Sequence, residues 1–300
     1  MFELSKTMTV DVENRTPVEW GEVVAAQQRL IETPATQNME RYRRIAVSLR
    51  ENPPFHIQPI LRQIQRIQET TGKPAPEIRI LDHGCGGCST LMFLAALGYT
   101  GLYGVDVGGP LEQRDHALRT LIEADEPRVR LYDGMTLPYS DGTFDLIFSQ
   151  QVLEHVKDRF IFSYISEEAR TLDKNGIVYH QIPHRWTPWE SHTKTWLVHY
   201  LPRFLQNPIY RALGHDPDYL RDMLHLRSPL FFFREFRRAF SNNRNETLDR
   251  IAARPNPSYY EGNIRLRNLI SRAAKLPIIR NIIIHLVMID LTAGHGNYSK

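Results

Sequence analysis

The stretch that decides the fold is ILDHGCGGC, residues 80–88. It joins a short apolar segment, IRILD (78–82), to an apolar segment that ends near Gly98, so a strand, a turn and a helix are expected in that order. Glycines in the turn let the backbone bend tightly and approach a ligand closely. The start of the following helix offers free N–H groups to an anion. The sequence therefore predicts a ligand-binding loop between a strand and a helix.

Alternation of strand and helix continues to residue 182. Further strands are predicted at 100–106, 129–132, 144–149 and 177–182, with helices around 111–123 and 160–172. This alternation is typical of βαβ units in a parallel sheet with helices on both faces, which binds ligands at the carboxyl ends of its strands. We expect Lys174-Asn175-Gly176 to form a turn with residues tolerant of positive φ. Two late strands are expected in ETLDRIA (246–252) and IIIHLVMIDL (282–291).

The flanking segments differ in texture from this core. Caps and apolar spacing predict three helices in the first 76 residues, at about 17–30, 37–49 and 57–72. After residue 183 the pattern weakens. We therefore divide the chain into an N-terminal helical extension (1–76), a core (77–183), and a substrate-binding or lid insertion with the last two strands (184–300).

Composition and charge exclude several classes of protein. Of the 300 residues 42% are hydrophobic and 24% charged, which is typical of a globular protein and not of a disordered or fibrous one. Two cysteines exclude a disulfide scaffold, and the apolar run 282–291 is shorter than the about 20 residues of a membrane span. With no apolar leader in residues 1–15, we expect a cytoplasmic protein.

The two parts of the chain carry opposite charge. Residues 1–200 have 21 Lys and Arg against 26 Asp and Glu, and residues 201–300 have 16 against 8, so the net charges are −5 and +8. The basic part could attract an anionic substrate, a nucleic acid or a membrane surface, or its arginines could be solvated helix faces.

Acidic residues near the loop indicate the kind of ligand. Asp106 comes twenty residues after Gly86 at the end of the second predicted strand, where a carboxylate can accept both hydroxyls of a ribose. A dinucleotide-binding loop has the pattern G-x-G-x-x-G. Here Gly84 and Gly86 match its first two glycines, but Ser89 occupies the position of the third. Asp82 would repel a pyrophosphate and suits a cation or an amine. These residues predict a nucleoside site that is not a dinucleotide site.

Over residues 78–182 the chain resembles the class I S-adenosylmethionine-dependent methyltransferases. Four motifs fall in order, and the helix and strand EEARTLDKNGIVYHQIP (167–183) follow them. The motifs are the loop 80–88, Asp106, the segment Tyr132 to Tyr139, and FDLIFSQQVLEHV (144–156). The resemblance implies an α/β, Rossmann-like core with a mostly parallel seven-stranded sheet, and S-adenosyl-L-methionine as cofactor, with S-adenosyl-L-homocysteine as product.

The resemblance also assigns roles to the loop and its surroundings. The amides of Cys85 to Gly87 border the methionine part, Asp82 anchors the loop, Asp106 holds the ribose, and Asp133 faces the adenine. Turn stabilisation is the alternative for Asp82 and Asp133. Cys88 stands where the family has a glycine that allows close helix–strand packing, and C-x-x-C leaves a redox interpretation open. The implied cofactor-binding residues are Asp82, Gly84, Cys85, Gly86, Asp106, Val107, Asp133, Gly134, Met135 and Gln150.

The acceptor is narrowed by exclusion. Enzymes of this fold that methylate amino groups of nucleic acids usually carry Asn/Asp-Pro-Pro after the fourth strand, whereas residues 149–152 are Ser-Gln-Gln-Val. Cytosine-C5 methyltransferases need a cysteine nucleophile, but both cysteines of this chain lie in the glycine loop. We therefore expect a small-molecule, glycan or lipid-linked acceptor, methylated on oxygen. RNA methylation through the basic third and a non-catalytic cofactor-binding scaffold stay open as alternatives.

Three histidines are candidates for the base that deprotonates a hydroxyl. His155 holds the family position, and His184 and His192 lie in HQIPHRWTPWESHTKTWLVHY (180–200), which also carries three of the four tryptophans. This segment is expected to form an acceptor pocket or lid, or else an aromatic cluster that packs on the sheet. A divalent metal on His184, Glu190 and His192 is conceivable, but no fixed spacing supports it and no metal site is predicted.

The stretch Leu197 to Leu213 is apolar, aromatic and basic. It could rest on a membrane surface as a peripheral contact, or form a buried helix pair broken by two prolines.

Overall fold

The part of the chain that the structure describes, residues 20–252 and 264–296 of a computed structural model, is built around one seven-stranded sheet. Its strands and those of a small hairpin are β1 (Ile80–His83), β2 (Leu102–Asp106), β3 (Val129–Leu131), β4 (Phe144–Gln150), β5 (Leu172–Ile182), β6 (Trp189–Glu190), β7 (Thr195–Trp196), β8 (Asn242–Asn245) and β9 (Ile289–Gly294). The sheet order is β3-β2-β1-β4-β5-β9-β8, and β6 pairs with β7 separately. Strands β1 to β5 are parallel, whereas β9 runs antiparallel to both of its neighbours.

Helices cover both faces of the sheet. They are α1 (Trp20–Glu32), α2 (Thr36–Ser48), α3 (Gln58–Thr71), α4 (Ser89–Ala96), α5 (Leu111–Ile122), α6 (Asp158–Thr171), α7 (Arg203–Ala212), α8 (Pro217–Met223), α9 (Pro229–Ala239), α10 (Thr247–Ala252), α11 (Ile264–Ala273) and α12 (Pro277–Ile283). The predicted fold class, a mostly parallel seven-stranded α/β sheet with helices on both faces, is confirmed.

Two apolar cores lie on the two faces because neighbouring side chains of a strand point to opposite sides. Ile80 and Phe148 face a core with α1 to α5, and Leu81 and Ile147 face a core with α6 and α9. The N-terminal helices therefore pack on the same face as the helix that follows the glycine loop.

The five predicted core strands and the helices before and between them are confirmed within a few residues. The first predicted helix is described only from Trp20, since residues 1–19 lie outside the described part. Helix α3 ends where Gly72 takes a left-handed φ of +71°. The periodicity of apolar residues was sufficient to locate these elements because each of them buries one face.

The two late strands were predicted in the wrong place. ETLDRIA forms α10, because Leu248 and Ile251 are spaced for a helix face and the Asn245 side chain accepts a hydrogen bond from the amide of Thr247 at its start. The strand is the preceding segment, β8, although it is polar. Of IIIHLVMIDL, the first two residues end α12, and only Ile289 to Leu291 belong to β9.

Lys174-Asn175-Gly176 is not the expected turn with positive φ. It lies inside the long strand β5 as an irregularity, where Phe144 pairs with Leu172 and Leu146 pairs with Ile177. A Cβ on Gly176 would come within 2.9 Å of the main-chain oxygen of Phe144. Glycine is therefore needed here for close approach of two strands.

The stretch 197–213 does not form a buried helix pair. It contains a short 3-10 turn and α7, with Pro208 inside the helix, and the side chain of Phe204 is 74% exposed. Within the described residues, no helix has the length and apolar character needed to cross a membrane.

Candidate functional site

The glycine loop lies at the point where the order of the sheet reverses. Strands β1 and β4 are neighbours, and the connections after them leave in opposite directions along the sheet, which opens a crevice at their carboxyl ends. The loop after β1 (83–88) and the turn after β4 (151–156) border this crevice. Val152 of the turn contacts the loop, because a Cβ on Gly84 would lie 2.5 Å from one of its methyl groups.

Three residues of the loop have positive φ: Gly84 (+92°), Gly86 (+45°) and Cys88 (+58°). The amides of Gly84 and Cys85 both donate to the Val105 carbonyl, at 2.9 and 3.0 Å, and thereby hold the loop against β2. A Cβ on Gly86 would meet no atom within 4 Å. The loop therefore presents bare backbone to open space, as a cradle for a ligand requires.

Cys88 does more than the predicted packing. It is fully buried at the start of α4, and its backbone is left-handed. The glycine usual at this position thus also provides a conformation that other residues adopt at a cost. The redox interpretation of the two cysteines is not supported, since both thiols are buried and Cys88 and burial raise the pKa of the Cys85 thiol.

Asp106, at the end of β2, organises the loop. Its Oδ2 accepts from the Gly86 amide at 2.8 Å, and its Oδ1 accepts from the amides of Val107 (2.7 Å) and Gly108 (3.3 Å). A carboxylate has about four lone-pair positions, and the side chain is half-buried, so it can still accept from a ligand. The predicted carboxylate is therefore at the edge of the cradle.

Asp82 is buried directly beneath the loop. Desolvation, together with the charge of Asp106, raises the pKa of its carboxyl well above the usual value. A cationic ligand at the crevice would counteract both effects by favouring the ionised form. The chemistry of this acid fits an amine or sulfonium better than an anion.

The segment after β3 faces the far side of the loop. Val107 and Met135 leave 64% and 41% of their surfaces exposed, and a Cβ on Gly134 would touch Val107. Asp133 is exposed, and Oδ1 accepts from the amides of Met135 (2.8 Å) and Thr136 (2.9 Å), which lowers the pKa of its carboxyl. Asp133 therefore stabilises this turn, next to the exposed apolar side chains of Val107 and Met135.

Two loop contacts were missed by the sequence reasoning. The Gln27 amide donates to the Gly87 carbonyl (3.1 Å) from α1, and Arg114 donates to the Gly86 carbonyl (2.5 Å) from α5. Gln150, expected at the methionine part, instead donates to the His56 carbonyl (2.9 Å) of the segment before α3. The N-terminal helices therefore contact both the loop and the end of β4.

A second missed feature is a buried network under the loop. His83 places Nδ1 2.8 Å from Glu168 and Nε2 2.8 Å from the Tyr132 hydroxyl, and His180 lies 2.9 Å from the other Glu168 oxygen. The Tyr164 ring stacks on His83 at 3.7 Å. This network links β1, α6 and β5 and gives the loop a rigid base.

The structure separates His184 from the other two candidate bases. Its Nε2 donates to the Val287 carbonyl at 2.7 Å, and its Nδ1 accepts from the Trp186 amide at 3.1 Å. Burial lowers its pKa to about 4. With both ring nitrogens occupied, His184 has no lone pair for a substrate, so its assignment as a base is corrected. The alternative metal set of His184, Glu190 and His192 lacks a ligand atom on His184 for the same reason.

His155 and His192 converge instead on Glu154. Their Nε2 atoms lie 3.9 and 3.7 Å from Glu154 Oε1, and their rings meet edge to face at 4.9 Å. The Glu154 side chain is fully buried, and neither carboxylate oxygen has a hydrogen-bond partner among the described residues. Desolvation raises its pKa to about 7. A buried, unpartnered carboxylate facing two imidazoles is an incomplete polar site.

Both imidazoles are oriented by their other nitrogen. His155 Nδ1 donates to the Met223 carbonyl at 2.7 Å, and His192 Nδ1 donates to Glu190 at 2.8 Å. Burial alone would raise the Glu190 pKa, but hydrogen bonds from His192 and Thr193 lower it to about 2, and Glu190 in turn raises the His192 pKa. In the neutral form of each imidazole the lone pair is therefore on Nε2, the nitrogen that faces Glu154.

The turn that carries Glu154 is held by Arg227. Its buried guanidinium donates to the carbonyls of Leu153 (2.9 Å) and Val156 and to Asp158 (2.7 Å), and the His225 amide donates to the Glu154 carbonyl (2.6 Å). These contacts come from 69 or more residues away in the chain.

A cavity of about 500 Å³ adjoins this turn within the C-terminal part. Its charged lining consists of Arg185, Arg203, Arg221, Arg227 and Asp158. Nearby, the hairpin β6–β7 exposes Trp189 (38%) and Trp196 (62%), whose ring centroids lie 5.4 Å apart. These two tryptophans contact each other on a separate hairpin and are partly open to solvent.

Residues 81–180 match the model of a family described as a methyltransferase domain. The 27-O-demethylrifamycin SV methyltransferase of Amycolatopsis mediterranei is 29% identical over 99 residues, which are 33% of this chain. The match spans 36% of the length of that curated relative.

Two solved structures show the extent of the structural similarity. Geranyl diphosphate C-methyltransferase from Streptomyces coelicolor A3(2) is 16% identical, with a TM-score of 0.44 over 85% of this chain and 83% of its own. An S-adenosylmethionine-dependent methyltransferase from Mesorhizobium loti is 16% identical, with a TM-score of 0.42 over 74% and 93%. Residues 81–180, a third of this chain, are similar to the methyltransferase-domain family, and the sheet has the mostly parallel seven-stranded order that the resemblance to class I methyltransferases implies.

Proposed function

We propose that this chain is an S-adenosylmethionine-dependent methyltransferase that acts on a hydroxyl group of a small anionic molecule. The observation that carries the cofactor assignment is the Gly86–Asp106 pair, an open glycine backbone hydrogen-bonded at 2.8 Å to the acid that ends β2, at the reversal point of the sheet. When bound, the cofactor supplies an electrophilic methyl group on a sulfonium.

The residues present fit the parts of S-adenosylmethionine. Asp106 would accept the ribose hydroxyls, the backbone of Gly84, Cys85 and Gly86 would border the methionine part, and buried Asp82 would stabilise positive charge there. The apolar surface of Val107, Gly134 and Met135 would contact the adenine, with Asp133 at its edge. Gln150 would reach the methionine part only if its amide leaves the His56 carbonyl.

The acceptor pocket is the arginine-lined cavity together with the exposed hairpin tryptophans. Its charge favours an anionic acceptor, and the indole surfaces favour one with a ring. This proposal gives residues 184–300 the specificity role, and it keeps residues 77–183 as the cofactor-binding core and 1–76 as a helical extension. The name of the rifamycin relative describes a small-molecule acceptor at an oxygen, which supports this class.

Transfer to a hydroxyl requires alignment and removal of one proton. The chain must hold the acceptor oxygen, the methyl carbon and the sulfur in line, so that the carbon–sulfur bond breaks as the oxygen–carbon bond forms. The hydroxyl proton leaves toward the cluster of Glu154, His155 and His192, whose two imidazoles are oriented by hydrogen bonds at Nδ1. His184 has no part in this step.

The experiment is a transfer assay with radiolabelled S-adenosylmethionine and a panel of hydroxylated aromatic carboxylates and phosphates, alongside neutral hydroxylated analogues and RNA. We expect label on anionic small molecules and on neither RNA nor the neutral analogues. Label on RNA, or cofactor binding with no transfer to any of the panel, would overturn the acceptor assignment. His192→Ala should lower kcat by at least about 100-fold, with His116→Ala as an exposed control.

A further inference from the structure

We propose that Glu154, His155 and His192 bind a divalent transition-metal ion. Among the residues that the structure describes, they form the group whose ligand atoms, one carboxylate oxygen and two imidazole nitrogens, lie within 4.8 Å of one another. Two histidines and one carboxylate leave several coordination positions open, which is typical of catalytic metal sites.

The cluster has an unmet need for a cation. Glu154 is fully buried, yet its oxygens have no hydrogen-bond partner among the described residues, and the nearest basic atoms lie 3.7 and 3.9 Å away, beyond hydrogen-bond distance. A buried carboxylate without a hydrogen bond is costly, and a bound divalent ion would offset that cost.

The geometry requires little adjustment. Tetrahedral ligands at about 2.1 Å from a metal lie about 3.4 Å apart. The distances from Glu154 to the two imidazoles therefore have to shorten by about 0.5 and 0.3 Å, and the two imidazole nitrogens, within 4.8 Å of each other, have to close by at most about 1.4 Å. The two imidazoles keep 35% and 28% of their side-chain surface exposed, so such a movement is sterically open. The exposed side of the cluster also provides an entry path for the ion.

The surroundings of the cluster are those of a metal site. Each imidazole donates its Nδ1–H to an acceptor, the Met223 carbonyl or Glu190, which fixes the tautomer with a free Nε2 lone pair. Histidine ligands of metals almost always have such a partner. Glu190 is itself held by the amide and hydroxyl of Thr193, both at 2.6 Å.

This inference deepens the proposed function. The catalytic role of the metal rests on that proposed function, but binding of the metal does not. The open positions would accept the acceptor hydroxyl, and the ion would lower the pKa of that hydroxyl so that its proton passes to water. With the ion bound, the three side chains would act as ligands, and water would replace the imidazoles as the acceptor of the hydroxyl proton. Metal binding itself requires neither cofactor nor acceptor.

The test is titration of the chelator-treated full chain with Zn²⁺ by calorimetry and with Co²⁺ by visible absorption. We expect one equivalent of either ion, and a loss of affinity of at least about 100-fold in Glu154→Gln and His192→Ala. His116→Ala, an exposed histidine on α5, should bind as the wild type. Glu190→Gln should weaken binding about 10-fold to 100-fold, since it removes only the orienting acceptor.

Three results would overturn the inference. They are no stoichiometric binding by the wild type, undiminished binding in folded Glu154→Gln and His192→Ala, or an intense thiolate-to-cobalt band, which would assign the ion to the cysteines. The wild-type titration alone shows whether a metal ion binds stoichiometrically. The inference can therefore be overturned even if the variants do not fold. The readout involves no methyl transfer, so its failure and that of the proposed function are separate results.

Discussion

Asp106 offers the sharpest test of the cofactor site. In Asp106→Ala the ribose loses both hydroxyl acceptors. Hydrogen bonds to a charged group contribute about 1.5–3 kcal/mol each, and water recovers part of this at a half-buried site. A net loss of about 2–4 kcal/mol corresponds to about 30-fold to 1,000-fold weaker binding of S-adenosylmethionine.

The same substitution has a smaller effect on folding. The amides of Gly86, Val107 and Gly108 lose their acceptor, but two of them lie in exposed surroundings where water can replace it. We expect a loss of about 1 kcal/mol in the free energy of unfolding. Asp106→Asn keeps an oxygen for the Gly86 amide and should lie between wild type and Asp106→Ala in affinity.

Isothermal titration calorimetry with S-adenosylmethionine measures the affinity, and circular dichroism confirms that the variants are folded. Asp125→Ala is the matched control, because Asp125 is an exposed acid whose contact to Arg119 uses its main-chain oxygen. Equal affinities of folded Asp106→Ala and Asp125→Ala would refute the assignment of the ribose site.

Three further predictions concern the loop and its surroundings. Gly84→Ala should reduce the free energy of unfolding by about 2–4 kcal/mol in urea titrations, because residue 84 has a φ of +92° and its Cβ would collide with Val152. A Cβ at Gly86 meets no neighbouring atom, so Gly86→Ala should cost only about 1 kcal/mol. Equal losses for the two variants would contradict this geometry. The pKa of His184 is lowered from 6.5 to about 4, so the neutral imidazole stabilises the folded state above pH 6.5. This stabilisation is lost as the pH falls from 6.5 towards 4, and the loss is about 2 kcal/mol at pH 5. The free energy of unfolding of His184→Gln should therefore depend less on pH between about pH 7 and 5, and parallel curves for the variant and the wild type would argue against this. Alkylation of Cys85 and Cys88 should be slow in the native protein because both thiols are buried, and slower still with bound S-adenosylmethionine; unchanged rates by mass spectrometry would place the cofactor elsewhere.

The sequence predicted the positions of the glycine loop and of Asp106 well because these parts are local. A strand that ends in a glycine loop brings Gly84 and Gly86 to the start of a helix, and the next strand ends with Asp106 beside them. Only neighbouring elements have to pair for this site to form. The role of Cys88 was incompletely predicted, because its positive φ cannot be read from residue type when glycine is absent.

For the acceptor side, the sequence predicted three candidate histidines and a pocket or lid in residues 180–200, but it did not show which histidine could act as a base. Whether His155, His184 or His192 has a free nitrogen depends on atoms distant in the chain, such as the Val287 carbonyl behind His184. The polar strand β8 escaped detection for a similar reason, since it lies at the sheet edge and pairs through its backbone with β9.

The sequence by itself determined the class I core, the glycine loop and the acids that surround it, because short-range periodicity and backbone preference act within a few residues. Only the tertiary structure decided that Glu154 meets His155 and His192 in one cluster and that His184 lies outside it. Arg227 and the Met223 carbonyl hold that cluster from about 70 residues away. Such contacts arise from packing of the C-terminal part against the turn after β4, which no local pattern encodes.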